Sequence, residues 1–238
     1  MLYIVPTPLG NLEDITLRAL RVLKECDLVL CEDTRHTRRL LSHFDIHVAT
    51  DRYQDGDPKQ TERLLEKLRD GRNIALVSDA GTPLISDPGY SLVSEARKAG
   101  VAVTSLPGAS AVAAAAAGSG LPCDSFVFLG FLPRTAGKQK RILTEAAALG
   151  HTLVIYESPF RVAALMATVQ ETLGDSCRVV LCRELSKIHE EWVSGNPSQV
   201  LADLKARKEI LGEFVVLVNP SPRANMRPRR DDTPGGEG

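Results

Sequence analysis

Five consecutive residues, Glu32-Asp-Thr-Arg-His36, bring together two carboxylates, a guanidinium and an imidazole. Arg35 could clamp a phosphate, and Glu32, Asp33 or His36 could accept a proton. The same residues suit a helix start, with Asp33 or Thr34 as N-cap and the acids set against the positive end of the helix dipole. The functional reading is preferred for Arg35, and simple solvation for His36. Arg38 and Arg39 follow, so three arginines fall within five residues, as a phosphate-binding face or a solvated helix face would have. In the second half, Tyr156-Glu-Ser-Pro-Phe-Arg161 places Glu157 and Arg161 four apart, where they can pair. Ser158 can cap the next helix, and Pro159 fits its first turn. The run Arg183–Glu191 is the densest polar stretch there. Lys187 in it could orient a substrate or, if desolvated, withdraw a proton; a β-hairpin turn would have much the same composition.

Three other stretches combine small residues with hydrogen-bonding ones. Ser78-Asp-Ala-Gly-Thr-Pro-Leu-Ile-Ser-Asp-Pro-Gly89 lies between an apolar run and a helical pattern. Gly81 and Gly89 let the backbone approach a ligand closely, and Pro83 and Pro88 stiffen the loop in advance. Asp79, Thr82, Ser86 and Asp87 can hydrogen-bond a polar ligand or, as in a stiff structural turn, their own backbone. Pro107-Gly-Ala-Ser110 opens an Ala-rich helix, where Ser110 could simply be the cap. Pro6-Thr-Pro-Leu-Gly10 sits where a dinucleotide-binding fold carries Gly-x-Gly-x-x-Gly, but it is not that fingerprint. The chain has no Walker A lysine motif, which disfavours phosphoryl transfer.

The elements that must position these loops alternate. Strands are expected at 2–5, 27–31, 73–77 and 101–106, with a weaker one near Val48. Helices are expected at 15–25, 34–44, 58–69, 90–99 and 109–117, the first capped by Asp14. This alternation predicts an α/β domain, residues 1–122, with a mostly parallel sheet covered by helices on both faces. Loops at the carboxyl ends of such strands are where ligands bind. Leu129–Lys140 holds Gly130, Pro133, Gly137 and a run of positive charge, and reads as a hinge or lid. A second domain, 123–218, carries helices near 139–149, 159–173 and 197–207. Its strands, at 152–156, 178–183, 188–193 and 213–218, lie closer together, which predicts a mixed sheet. Residues 219–238 are rich in Pro, Arg and Gly and read as a disordered tail.

The chain has 238 residues, 43% of them hydrophobic and 25% charged, with net charge −1; it is not a uniformly basic nucleic-acid coat, although a local basic face remains possible. The five cysteines are scattered without a C-x-x-C pair, which speaks against a disulfide framework or a zinc site and for a reducing cytoplasmic setting. No metal is expected. Met1 leads straight into an apolar strand rather than a signal peptide, and the Ala-rich run is too short to span a bilayer.

Six stretches occur together and in order: Pro6-Thr-Pro-Leu-Gly-Asn-Leu-Glu-Asp-Ile-Thr16, Cys31-Glu-Asp-Thr-Arg35, Ser78 to Gly89, Pro107-Gly-Ala-Ser-Ala111, Gly130-Phe-Leu-Pro-Arg134 and Tyr156-Glu-Ser-Pro-Phe-Arg161. They resemble the small-subunit ribosomal RNA methyltransferases of the tetrapyrrole methylase superfamily, over roughly residues 1–218. The resemblance implies a two-domain tetrapyrrole-methylase-like α/β fold with S-adenosylmethionine in the cleft between domains. It further implies methyl transfer to the ribose 2′-oxygen of a cytidine in the decoding region of small-subunit (16S) rRNA, by a cytoplasmic homodimer. Leu9, Thr82, Ile85, Ser110 and Ala111 are implied as cofactor contacts, joined by Asp79 and Gly81 of the central loop. Tyr156, with Gly212 and Glu213 nearby, is implied on the second-domain side. A sulfonium methyl needs no metal or covalent nucleophile, only an aligned oxygen and a proton acceptor. On that chemistry Arg35 and Lys187 are candidates for positioning or charge stabilisation, and Glu32 or Glu157 for proton uptake. Arg35, Arg38, Arg39, Arg134, Lys138, Lys140, Arg141 and Arg161 are candidate RNA phosphate contacts.

Two other functions fit the same fold. A tetrapyrrole methylase would carry a Gly-rich first loop and Gly-Asp-Pro centrally, where this chain has Pro-Thr-Pro-Leu-Gly and Gly81-Thr-Pro83. A non-catalytic, cofactor-binding assembly factor would lack proton acceptors, of which this chain has many. Many members of the resembled group carry a small helical domain after the last strand, where this chain has the arginine-containing tail.

Overall fold

The computed structural model describes residues 1–220. The tail expected over 219–238 lies, from residue 221, outside the described residues. Two compact units are present: Met1–Ala114 together with Glu184–Glu190, and Ala115–Arg183 together with 191–220.

The first unit is built on β1 (Leu2–Ile4), β2 (Leu28–Cys31), β3 (Thr50–Arg52), β4 (Ile74–Leu76) and β5 (Val103–Ser105), in the order β3-β2-β4-β1-β5. Every neighbouring pair is parallel, with Leu2 opposite Ile74 on one side and Val103 on the other. Successive side chains leave a strand on opposite faces, so buried Val29 and Leu30 serve two different cores. Helices α1 (Leu17–Glu25) and α2 (Thr34–His43) cover one face, over Val5, Val29 and Ala75. Helices α3 (Pro58–Arg69) and α4 (Tyr90–Lys98) cover the other, over Leu2, Leu30 and Ile74. Truncating any of these buried Leu or Ile side chains to Ala would cost about 2–5 kcal/mol.

Local chemistry sets three of the first unit's helix starts. Asp33 caps α2 through Arg35 N–H, and Asp57 caps α3 through the N–H groups of Lys59 and Gln60, with Pro58 in the first turn. The cap of α1 is Thr16, whose hydroxyl accepts from Ala19 N–H at 3.0 Å, and not Asp14. Asp14 instead closes a 3-10 turn, Leu12–Asp14, which postpones the helix by two residues. The weak strand expected near Val48 forms slightly later, as β3.

The chain leaves the first unit within α5 (Ala111–Gly118). The second unit has β6 (Phe126–Phe131), α6 (Ala136–Ala147), β7 (Thr152–Glu157), α7 (Val162–Leu173), β8 (Arg178–Arg183), β9 (Glu191–Gly195), α8 (Pro197–Ala206) and β10 (Phe214–Asn219). The sheet order is β6-β7-β10-β8-β9; β6 and β7 are parallel and the other pairs antiparallel, giving the mixed sheet expected. Leu143, Leu153, Ile155, Leu165, Met166, Val216 and Val218 lie in its core.

The hinge or lid expected at Leu129–Lys140 is not one. Leu129–Phe131 are strand residues paired with β7, and α6 begins at Ala136. Gly130 marks a register shift in that strand and has φ 58°, so the glycine that read as a breaker supplies a bulge. Ser158 and Pro159 likewise form a turn before α7, with Ser158 C=O accepting from Arg161 N–H and Val162 N–H, and no side chain caps that helix. The strand expected at 188–193 runs later, as β9, because Glu184–Glu190 is the connection and belongs with the first unit.

Candidate cofactor and active site

β1 and β4 are neighbours whose outgoing connections leave over opposite faces of the sheet, β1 through α1 and β4 through α4. A crevice opens where adjacent parallel strands send their chains apart in this way. The loops there are tied into one platform. Thr7 and Gly81 exchange two backbone hydrogen bonds, each 2.9 Å. Thr7 Oγ1 donates to Ser78 C=O at 2.9 Å, and Thr82 Oγ1 donates to Ala109 C=O at 2.9 Å. The loops after β1, β4 and β5 thus hold one another through short polar side chains. Gly81 has φ 80°, and a Cβ there would lie 3.1 Å from Leu9 Cδ2, so only glycine suits this crossing.

The central loop also keeps two non-glycine residues left-handed, Leu84 (φ 71°) and Ser86 (φ 70°). Each such conformation costs of order 1–3 kcal/mol and persists only where the surroundings enforce it. The far end of this loop is tied down by Asp55, in the connection between β3 and α3. Its carboxylate accepts from Gly89 N–H at 2.8 Å, Ser91 N–H at 3.3 Å and the buried Tyr53 hydroxyl at 2.7 Å. Gly89 is the N-cap of α4 and brings no side chain to the task, so Asp55 caps this helix from 34 residues away. Burial opposes its ionisation, but the donors from Gly89, Tyr53 and Ser91 together hold its carboxyl below the ordinary range. Asp55 went unnoticed in the sequence. The nearby Asp57-Pro58 pair carries the helix-start signal, and no spacing rule links Asp55 to Gly89.

Asp79 Oδ1 is buried and has no hydrogen-bond partner. An unsatisfied buried acceptor is costly, and a ligand donor reaching it would remove the cost. Glu32, at the end of the adjacent β2, is half-buried; burial and then the charge of Asp79 raise its carboxyl above the ordinary range. Ile85 exposes 39% of its surface on the same loop. A ligand with an apolar body and several hydrogen-bond donors fits this set.

The remaining candidates divide between the units. Arg35 pairs with Asp33 at 2.9 Å, and its side chain is 85% exposed. That pairing, through hydrogen bonds first, holds Asp33 well below the ordinary carboxylate range. Arg38 donates to Thr50 Oγ1 at 3.1 Å, while Arg39 and His36 face solvent. Lys187 comes to the first unit: its stem lies where a Cβ on Gly10 would be, its Nζ is 3.0 Å from Glu184, and neighbouring Ser186 donates to Asp14. The structure therefore brings Glu32, Arg35, Lys187, Leu9, Asp79, Gly81, Thr82, Ile85 and Ser110 into one unit, and Ala111 opens the helix that follows.

Tyr156, Glu157, Gly212 and Glu213 belong to the second unit. Glu157 is fully buried; its Oε1 accepts from Ser158 N–H at 2.8 Å, and its Oε2, which accepts no hydrogen bond from the described residues, lies 3.1 Å from the Arg161 guanidinium as an ion pair. The pairing that their spacing allows is therefore present. Burial raises the Glu157 carboxyl, against the pull of Ser158 N–H and Arg161. Arg161 also donates to Leu132 C=O at 2.7 Å, which commits its guanidinium internally. Lys140 is engaged with Glu171, whereas Arg134, Lys138 and Arg141 are exposed. Gly212 has φ 91° beside Leu211, whose carbonyl accepts from Arg183 Nε at 2.6 Å. Among the described residues, no group of three His, Cys, Asp or Glu is placed to hold a metal, and no helix is long and apolar enough to cross a membrane.

A parallel sheet with a braced loop platform, followed by a mixed five-stranded sheet, defines a class shared with solved methyltransferase structures. The chain matches cobalt precorrin-4 methyltransferase, a cobalamin biosynthetic enzyme, with TM-score 0.67 at 17% identity, covering 91% of this chain and 93% of that one. It matches diphthine synthase with TM-score 0.70 at 15% identity, covering 91% and 89%. The chain belongs to the tetrapyrrole (corrin/porphyrin) methylase family, whose model matches residues 1–200. Among curated relatives it is 49% identical to the ribosomal RNA small subunit methyltransferase I of Vibrio cholerae serotype O1, over 92% of this chain and 77% of that protein. It is 47% identical to the protein of that name from Escherichia coli O157:H7, over 91% and 77%. The one from Hydrogenobaculum sp. is 40% identical over 92% of this chain and 95% of its own length.

Proposed function

We propose that this chain is an S-adenosylmethionine-dependent methyltransferase acting on the ribose 2′-oxygen of a cytidine in small-subunit (16S) rRNA. The observation that carries the reading is the 49% identity to a small-subunit rRNA methyltransferase over 92% of the chain. Solved relatives that methylate corrins and porphyrins share the fold at 17–23% identity. When bound, the cofactor supplies a methyl already activated on a sulfonium. Leu9 and Ile85 offer apolar contact, Thr82 and Ser110 line the loops, Gly81 leaves room for close approach, and Asp79 Oδ1 accepts from a cofactor amino or hydroxyl group. From the second unit, Tyr156, Gly212 and Glu213 are the candidate cofactor contacts.

The chain's own residues must hold the ribose hydroxyl in line and remove its proton. Glu32 is the preferred acceptor over Glu157. Burial and Asp79 raise its basicity, and unlike Glu157 it is not paired with an arginine among the described residues. Arg35 and Lys187 stabilise the developing oxyanion. Arg38, Arg39, Arg134, Lys138 and Arg141 contact RNA phosphates, in a cytoplasmic homodimer.

The test is transfer of labelled methyl to small ribosomal subunits from cells lacking the enzyme, followed by mapping of ribose methylation. Label on one cytidine ribose is expected. Measurable cofactor binding without label on the subunit would overturn the RNA assignment.

A further inference from the structure

The second unit contains a brace with an unusual product. Buried Glu157 ends β7, and Arg161 faces it across one turn at 3.1 Å. The same guanidinium donates to Leu132 C=O at 2.7 Å, just past the end of β6. The turn between them is closed by two backbone bonds to Ser158 C=O, of 3.1 and 3.0 Å. These contacts tie down the backbone of 158–161, yet the residue it displays, Phe160, is 93% exposed. Phe131, the last residue of β6, is 57% exposed. It packs edge-on to Tyr156, ring centroids 5.6 Å apart and planes at 61°. β6 and β7 are parallel, so Phe131 and the turn that carries Phe160 both lie at their carboxyl ends, joined there by the Arg161–Leu132 bond. Arg134 and Lys138 follow within seven residues of Phe131, and both are exposed.

A large apolar ring presented to water from a hydrogen-bonded turn has no role in the core. Exposed aromatic rings beside cationic side chains are the means by which proteins hold unpaired nucleotides: bases stack on the rings and phosphates meet the cations. We propose that Phe160 and Phe131 form a stacking platform for unpaired nucleobases of the RNA substrate, with Arg134 and Lys138 as its phosphate contacts. Arg161 is then a positioning residue that holds Phe160 out, rather than a phosphate contact itself. This rests on the rRNA reading of the same chain and adds where and how single-stranded RNA is held. The occupant is RNA and not an apolar protein face because the neighbouring charge is positive. Rigid presentation also spares the ordering cost that binding would otherwise carry.

The experiment compares full-length wild type, Phe160→Ala, Phe160→Trp, and Arg134→Ala with Lys138→Ala. Each is titrated with a fluorescently labelled unpaired oligoribonucleotide over a range of salt concentrations. Cofactor affinity and sedimentation are measured alongside. Phe160→Ala is expected to weaken RNA binding about tenfold or more at every salt concentration, with an unchanged salt slope, because a stacked base and not a phosphate contact is lost. Phe160→Trp should restore binding. The double cation variant should reduce the salt slope by about two phosphate contacts. Cofactor affinity should be the same throughout. Wild-type RNA affinity in Phe160→Ala would overturn the platform. So would a change in sedimentation alone, which would assign this edge to a second copy of the chain. Failure of wild type to bind RNA at all would instead count against the rRNA reading.

Discussion

Removing the Asp55 carboxylate is the sharpest perturbation of the ligand platform that leaves every platform residue in place. Asp55→Ala deletes the acceptor for Gly89 N–H, Ser91 N–H and the Tyr53 hydroxyl. Loss of a helix cap costs about 1 kcal/mol. Stranding a buried tyrosine hydroxyl adds about 1–3 kcal/mol. We therefore expect a loss of about 3 kcal/mol of stability by urea denaturation, a large fraction of the roughly 5–15 kcal/mol of an ordinary domain. If about 1–2 kcal/mol of that falls on the ordered state of the central loop, S-adenosylmethionine binding weakens by about 5- to 30-fold. Calorimetric titration well below the melting temperature reads that number directly.

Asp55→Asn should fall between, since one carbonyl oxygen remains while the amide confronts a backbone donor. The sign of the pH dependence follows from the depressed carboxyl. Its contribution is present above the ordinary carboxylate range and is lost as pH falls through the folded value. The stability gap between wild type and Asp55→Asn should thus be level from about pH 8 to 5 and close below about pH 4. Unchanged cofactor affinity in Asp55→Ala, together with stability within about 0.5 kcal/mol of wild type, would refute the remote-cap reasoning.

Other perturbations test neighbouring parts. Gly89→Ala would place a Cβ 2.7 Å from both Leu76 Cδ2 and Leu84 Cδ1 at φ 137°; we expect about 2–4 kcal/mol of destabilisation in a urea melt. Arg161→Ala leaves the buried Glu157 carboxylate without its counter-charge and should cost about 3 kcal/mol. Because burial raises the Glu157 carboxyl, that cost should shrink as pH falls towards and through its folded value; a cost independent of pH down to the onset of acid unfolding would count against a charged Glu157. Glu32→Gln should abolish the acid limb of the pH dependence of kcat/KM, since Glu32 must be deprotonated to accept the ribose proton; an unaltered limb would remove Glu32 from the reaction.

Much of the first unit is legible from local pattern. Apolar runs of three to five residues alternate with amphipathic stretches and can be buried only as a parallel sheet between helix layers. Loops carrying Gly81, Gly89 and Pro107 then fall at strand ends. Capping is local too: of Asp33 and Thr34, the two caps expected for α2, Asp33 serves, and the helix expected from Pro58 starts there, capped by Asp57. Where two local devices compete, as Asp14 and Thr16 do, the 3-10 turn decides, and composition does not reveal it. Gly130 misleads for a related reason: it looks the same in a hinge and in a β-bulge, and only pairing with β7 separates them.

The sequence by itself determined the alternating α/β elements, the positions of the glycine- and proline-bearing loops, and, through six ordered motifs, the family. Tertiary structure alone decided what depends on chain-distant contact: Asp55 capping α4, Lys187 lying against Gly10, burial and then Asp79 raising Glu32, and Arg161 turned inward. Hydrogen bonds and charge interactions act over a few ångströms of space without regard to sequence separation. Residues 34 or 177 positions apart therefore carry no sign of one another until the sheet brings them together.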